Sequence, residues 1–230
     1  MPRELPIFPL PIVLFPGAPQ PLHIFEPRYR QLLVDCQDGD GRFGIAYVAP
    51  DGTPAADPVP GTGDVGCVAL VRSIQPLHDG RSNILTVGER RFVLRRWVEH
   101  NPPRLYRVAE VEEFDDDPVD PAEAAPLAAD VRAAFARLAR ALGVLTEAAE
   151  EEIELASDPQ LLSFQVSAAL ELDAAAKRAL QASRSTTLRL RQLAGLLGPL
   201  ATDAERRATV RRRAKGNGRG GRHPQIEQTT

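Results

Sequence analysis

The feature that most constrains this chain is a change of hydrophobic pattern near Asp117. Before it, short apolar runs are separated by turn signals; after about residue 121, glycine is sparse and the apolar spacing becomes helical. That helical spacing is carried first by Leu127, Val131, Phe135, Leu138 and Leu142. Strand patterns followed by helix patterns predict an α+β fold, with a β-rich subdomain over 1–117 and a helical bundle over 118–200. Each part is long enough to contribute to a buried core.

The β-rich part contains about six strand patterns and one short helix, which predicts a closed or nearly closed small barrel. Asp79 and Gly80 separate two apolar runs, and this dipeptide is typical of a hairpin turn. Gly88 interrupts the following long run and predicts a β-bulge. The short helix is predicted over 26–36. A loop over 49–64, rich in proline and glycine, is long for a compact domain, which indicates a mobile or a functional segment.

Capping residues divide the helical part. Gly143 is expected to end the first helix, and Thr146 to begin the next, which carries acids at 147 and 150–152. Asp158 and Asp173 are predicted N-caps for two further helices. The last helix carries Leu190, Leu193, Leu197 and Leu200. We expect the run Asp115, Asp116 and Asp117 to be a solvated linker, with cation binding the less favoured alternative.

Residues 201–230 change composition again. Eight basic residues lie between 206 and 222 with no acid among them, and four glycines accompany them. This composition predicts a disordered basic tail. Arg211, Arg212 and Arg213 form its densest cluster and are candidate phosphate contacts.

The remaining composition indicates where the protein works more than what it does. The net charge of −3 gives no overall attraction to nucleic acid or anionic membrane. Two cysteines, Cys36 and Cys67, cannot form a disulfide framework and are expected to be buried reduced thiols. Neither a secretory signal nor an apolar run long enough to span a bilayer is visible, so we expect a cytoplasmic protein without a membrane partner.

An ordered series of motifs identifies a family. Leu5-Pro6-Ile7-Phe8-Pro9-Leu10 is followed by Phe15-Pro16-Gly17 and then Pro21-Leu22, and a second block contains Val87-Gly88-Glu89-Arg90-Arg91-Phe92. The series over about 4–198 resembles the N-terminal, substrate-binding domain of Lon-type proteases, and 25–29 is most similar to small stand-alone members. The resemblance implies a PUA-like β pseudobarrel followed by helices, and recognition of unfolded or tagged polypeptides.

The residues that Lon-type catalysis requires are not found. The sequence contains no P-loop string, and its two lysines, Lys177 and Lys215, are expected to be solvated rather than placed beside a nucleophile. The four histidines lack metal-ligand spacing. We therefore expect no catalytic residue, no metal and no cofactor, and a protein that is not an enzyme.

Two functions remain open at this stage. The first is a non-catalytic polypeptide-binding module, an adaptor in protein quality control that works with a protease or a chaperone. Its candidate contacts are Phe15, Phe25 and Tyr29, with burial in the core as the alternative for each. The second is RNA or other nucleic-acid binding by a PUA-like barrel assisted by the basic tail.

Overall fold

The first half of the protein is a small barrel. A computed structural model describes residues 2–50, 59–146 and 154–217, with side chains to residue 214. Its strands and first helix are β1 (Arg3–Leu10), β2 (Pro19–Ile24), α1 (Pro27–Asp38), β3 (Arg42–Tyr47), β4 (Val65–Pro76), β5 (Ser82–Val98) and β6 (Arg107–Glu113). The strand order is β2-β5-β4-β3-β1-β6, and β5 also pairs with β6. This last pairing closes a five-stranded barrel and leaves β2 as an additional strand on β5.

Two local predictions in the barrel are confirmed. The hairpin between β4 and β5 turns at Asp79 and Gly80, where Gly80 takes a positive φ of 77°. The ladder between these strands shifts register between Cys67 and Ala69, next to Gly88, as a bulge requires. The bulge lets one 17-residue strand pair with β2 through its first half and with β6 through its second.

The second half is helical and comprises α2 (Pro121–Thr146), α3 (Pro159–Ala169), α4 (Ala174–Ala182) and α5 (Thr186–Asn217). Asp158 and Asp173 are N-caps, since their carboxylates accept the amides of Leu161 and Ala176. The predicted α+β architecture, a β pseudobarrel followed by helices, is confirmed. Helices α2 and α5 run parallel: two ion pairs between them, Arg191–Glu123 and Arg137–Glu205, each join residues 68 positions apart.

Two predictions about the helices are wrong. Gly143 does not end α2, which continues to Thr146. Residues 201–217 are not a disordered tail, because they continue α5. Ala201, Ala204 and Ala208 are buried along α5, and their spacing keeps one small-residue face toward α2. The predicted helix start with its acids at 147–152, residues 51–58 of the predicted loop and the tail from 218 onward lie outside the described residues.

The core does not stop at the boundary between strands and helices. A small cluster fills the barrel interior, and a much larger one joins α1 and the outer barrel wall to the helices. At the junction, the Phe15 ring lies 6.3 Å from that of Phe164, and Gln181 Nε2 donates to the Leu14 carbonyl at 2.7 Å. The position of the helical half relative to the barrel is therefore fixed by buried contacts.

Candidate functional site

The three predicted polypeptide contacts separate into two groups. Phe15 is fully buried and Tyr29 is 6% exposed, with its ring stacked on Phe8 at 3.8 Å between centroids. Both belong to the core, which is the alternative that the sequence left open, and their burial does not support a role as surface contacts. Phe25 is 57% exposed and remains as a candidate. It lies between β2 and α1, where the chain turns outward before Pro27 starts the helix.

Phe25 continues an apolar face that sequence reasoning did not assemble. Pro19, Pro21 and His23 alternate outward along β2, and the His23 and Phe25 rings stack at 5.9 Å. The β2–β5 register places Leu85 opposite Pro21, and Leu85 is 39% exposed. We call Pro19, Pro21, Phe25 and Leu85 the β2 face. Exposed apolar side chains grouped in this way are typical of a protein-binding surface.

The free edge of β2 is chemically unsuited to strand addition. Within the described residues, β2 pairs with β5 alone. Proline lacks an amide proton and is tolerated on an edge strand when its nitrogen faces away from the ladder. Pro19 and Pro21 therefore remove donors from the outer edge, which protects it from pairing with another strand. A partner is accordingly expected to contact the side chains of the β2 face rather than extend the sheet.

A groove of about 310 Å³, most of whose lining residues are apolar, begins at Pro19. Its walls are the segment between β1 and β2 and the connection between α3 and α4, with Ile12, Val13, Leu172 and Lys177 among its lining residues. Lys177 was expected to be solvated, but it is half-buried, and its Nζ donates to the Ala168 carbonyl at 3.3 Å. The groove and the β2 face share Pro19 and form one continuous candidate surface.

The acidic run at the start of the helical half is only partly solvated. Asp115 and Asp117 are exposed, as predicted for a linker, but the Asp116 side chain is only 5% exposed. Asp116 forms ion pairs with Arg91 of β5 and with Arg189 of α5, whose side chains are 2% and 0% exposed. Burial lowers the pKa of the Arg91 guanidinium, and the neighbouring Asp116 opposes that effect. This cluster joins the two halves and is a structural site.

Neither the cysteines nor the basic end of α5 forms a reactive site. Cys36 and Cys67 are buried, as predicted, and burial raises the pKa of the Cys36 thiol to about 12, so that it is a poor nucleophile. Arg211, Arg212 and Arg213 are exposed on the last turns of α5. In the ranges that the structure covers, no group of three or more histidine, cysteine, aspartate or glutamate side chains could hold a metal ion, and no helix is long and apolar enough to span a membrane.

Solved structures define the class to which this architecture belongs. The fold is similar to a Lon N-terminal domain protein from Xanthomonas campestris, with a TM-score of 0.56, 25% identity, and coverage of 83% of this chain and 96% of the other. It is also similar to the N-terminal domain of the Mycobacterium avium complex Lon protease, with a TM-score of 0.61, 21% identity, and coverage of 87% and 99%. The fold is therefore that of Lon N-terminal domains.

The sequence establishes the family. The model of the ATP-dependent protease La (LON) substrate-binding domain matches residues 4–198. This chain belongs to that family, as the motif series indicated. A Lon protease from Cytophaga hutchinsonii is 30% identical over 118 residues, which are 50% of this chain and 14% of that protease. This similarity thus spans about a seventh of the longer protein.

Proposed function

We propose that this protein is a non-catalytic polypeptide-binding module that holds exposed apolar segments on its β2 face and in the adjoining groove. The observation that carries the proposal is the exposure of Phe25 and Leu85 beside two outward prolines on an edge strand. Membership in a substrate-binding domain family supports it. A cytoplasmic adaptor role in protein quality control, with delivery to a protease or a chaperone, belongs to the same proposal.

The surface suits unfolded chains better than folded partners. Its apolar groups are spread along an extended strand and a groove, so that an extended segment can contact several of them in succession. The prolines keep the backbone of β2 from joining the segment in a sheet. Binding therefore depends on apolar contact area. Polypeptides of many different sequences can supply such area.

Replacing Phe25 and Leu85 together with alanine is expected to weaken binding of an unfolded model protein at least tenfold. Each side chain offers part of its apolar area, and the combined loss corresponds to about 1.4 kcal/mol or more. Fluorescence anisotropy of a labelled, permanently unfolded polypeptide measures the effect. Because both residues are well exposed, the thermal unfolding midpoint should change little.

The matched control is Leu188→Ala, since Leu188 is 48% exposed on α5 and lies outside the groove and the β2 face. It should bind as the unchanged protein does. Absence of binding at tens of micromolar protein, or an equal affinity in the double variant, contradicts the proposal.

A second candidate function, nucleic-acid binding, is favoured by one observation. Helix α5 presents Arg211, Arg212 and Arg213 in ordered, exposed positions. Ordered arginines lose less conformational entropy when they bind phosphates than arginines in a disordered tail do. This candidate ranks second because the net charge of the chain is −3.

Changing these three arginines to glutamine is expected to weaken RNA binding at low salt without abolishing it, if this second function holds. The slope of log affinity against log salt should fall by about two to three, because each phosphate contact releases counterions. The control is Arg95→Gln with Arg96→Gln, two exposed barrel residues paired with Glu112 and Glu110. If the unchanged protein fails to bind RNA at low salt, nucleic-acid binding is excluded.

A further inference from the structure

The groove that begins at Pro19 carries a single charged side chain. Of the eleven residues that line it, nine are apolar, and Gln20 and Lys177 are the two polar ones. Gln20 lies next to Pro19, and its Nε2 donates to the Pro21 carbonyl at 3.0 Å. Lys177 belongs to α4. A ligand in the groove therefore meets mostly apolar walls and one ammonium group.

Two hydrogen bonds fix the position of Lys177 in the groove. Its Nζ donates to the Ala168 carbonyl at 3.3 Å, in the last turn of α3. The carbonyls there lack partners within the helix and carry the negative end of its dipole, so an ammonium is favoured beside them. One turn further along α4, Gln181 is buried and donates from Nε2 to the Leu14 carbonyl at 2.7 Å. That bond holds α4 against the opposite wall of the groove.

The Lys177 ammonium has N–H donors left for a ligand. It carries three of them, and the Ala168 carbonyl accepts one. Among residues 2–50, 59–146 and 154–214, no carboxylate lies within ion-pairing distance of Lys177. Asp173, four positions earlier, caps the start of α4, and the neighbouring Arg178 pairs with Asp64. Two donors of this half-buried cation therefore lack an acceptor within the described part of the chain.

An anionic group beside apolar side chains matches this lining. A carboxylate accepts charge-assisted hydrogen bonds from an ammonium, and these are stronger than hydrogen bonds between neutral groups. Apolar walls lower the local dielectric constant, which strengthens both the attraction of Lys177 to a carboxylate and its repulsion of a second cation. The groove is thus complementary to apolar segments that contain an acid, and it disfavours segments with lysine or arginine at the same position.

A side-chain carboxylate fits the groove better than the end of a chain does. C-terminal carboxylates are commonly bound by clusters of backbone N–H groups. Pro11 and Pro19 lie in the lining and have no N–H to donate. Because the groove adjoins the β2 face at Pro19, a segment within a longer chain can contact both.

We propose that the groove selects polypeptide segments in which a glutamate or aspartate side chain lies within an apolar run, and that Lys177 binds its carboxylate. This inference rests on the proposed function and names the class of segment that the site prefers. The apolar residues of the segment contact the β2 face and the groove walls. Lys177 is thus a specificity-determining residue, whereas the β2 face binds apolar segments generally.

The test uses ten-residue peptides of alternating leucine and serine, amidated at the C-terminus, in which one central serine is replaced by glutamate, glutamine or lysine. Fluorescence anisotropy with the full chain is expected to show the glutamate peptide binding about fivefold more tightly than the glutamine peptide. The lysine peptide should bind more weakly than both. Added salt should reduce these differences, because it screens the charge of a half-buried lysine.

Variants of Lys177 separate its charge from its apolar part. Lys177→Met retains the apolar stem, so it should bind the glutamine peptide as the unchanged protein does and prefer the glutamate peptide by less than about twofold. Lys177→Arg retains the charge and should keep most of the preference. Arg206→Gln, which removes an exposed charge of α5 outside the groove, should keep all of it.

Equal affinities of the glutamate and glutamine peptides for the unchanged protein overturn the inference, as does a preference that persists in Lys177→Met. The first comparison needs no variant, so it decides even if Lys177→Met does not fold. The glutamine peptide with a free C-terminal carboxylate tests the chain end: if that carboxylate gains affinity through Lys177 while the glutamate side chain adds none, the inference is overturned.

Two outcomes distinguish this inference from the proposed function. Equal binding of the glutamate and glutamine peptides that still depends on Phe25 and Leu85 overturns the inference and leaves the proposed function standing. Absence of binding by every peptide and by unfolded protein overturns the two together.

Discussion

Replacing Asp116 with asparagine is expected to lower the free energy of unfolding by about 3–5 kcal/mol. Asp116 supplies the carboxylate between two buried guanidinium groups, and its Oδ2 also accepts the Thr186 hydroxyl at 2.5 Å. The remaining hydrogen-bond partners of Arg91 and Arg189 are neutral: the Gln181 and Ser183 carbonyls and the Ser163 and Thr186 hydroxyls. Without this carboxylate, two positive charges stay buried with no ion-pair partner in contact, since Asp115 acts on Arg91 only from an exposed position.

The neighbouring acid supplies the control. Asp117 is 63% exposed and pairs with Arg184 at 3.3 Å, so Asp117→Asn removes the same charge one position away from a solvated site. We expect a loss below about 1 kcal/mol there. Urea unfolding followed by circular dichroism measures both variants. A loss below about 1 kcal/mol for Asp116→Asn would show that the cluster does not hold the barrel and the helices together.

Replacing Gly88 with alanine is expected to lower the free energy of unfolding by about 3 kcal/mol, at the upper end of what overpacking costs. A Cβ atom at Gly88 would lie 2.2 Å from the Phe15 carbonyl oxygen, which is backbone and unable to rotate away. Two backbone hydrogen bonds hold this approach: Gly17 donates to the Gly88 carbonyl at 2.8 Å, and Gly88 donates to the Ala18 carbonyl at 3.0 Å. The methyl group of alanine would force strand β5 and the Phe15–Gly17 turn apart and break these two hydrogen bonds.

Gly195→Ala is the matched control. Gly195 is exposed within α5, and nothing lies within 4 Å of the Cβ that alanine would add. Alanine is the better helix former, so this variant should gain about 0.5–1 kcal/mol. The same unfolding measurement serves both variants. If Gly88→Ala folds with unchanged stability, the close contact between strand β5 and the Phe15–Gly17 turn is not needed for the fold.

Part of the candidate site could be predicted from the sequence. The motif series placed Phe15-Pro16-Gly17 and Val87-Gly88 in one family pattern, and Gly17 and Gly88 prove to be hydrogen-bonded neighbours. Alternation along β2 puts Pro19, Pro21 and His23 on one side of the strand. Had residues 19–24 been assigned as a strand, this shared side could have been predicted from the sequence. The register that brings Leu85 beside Pro21 and the placement of Lys177 in the groove depend on contacts distant in the chain.

The sequence by itself determined the local features. The turn at Gly80, the bulge at Gly88 and the caps at Asp158 and Asp173 follow from backbone and capping preferences that act over a few residues. Only the tertiary structure decided which polar and aromatic groups are buried. Asp116 is buried because it pairs with Arg91 and Arg189, which lie 25 and 73 positions away in the chain. The arginine-rich segment after 201 is helical because three alanines fit against α2. Burial depends on distant partners, and composition within a short window does not contain that information.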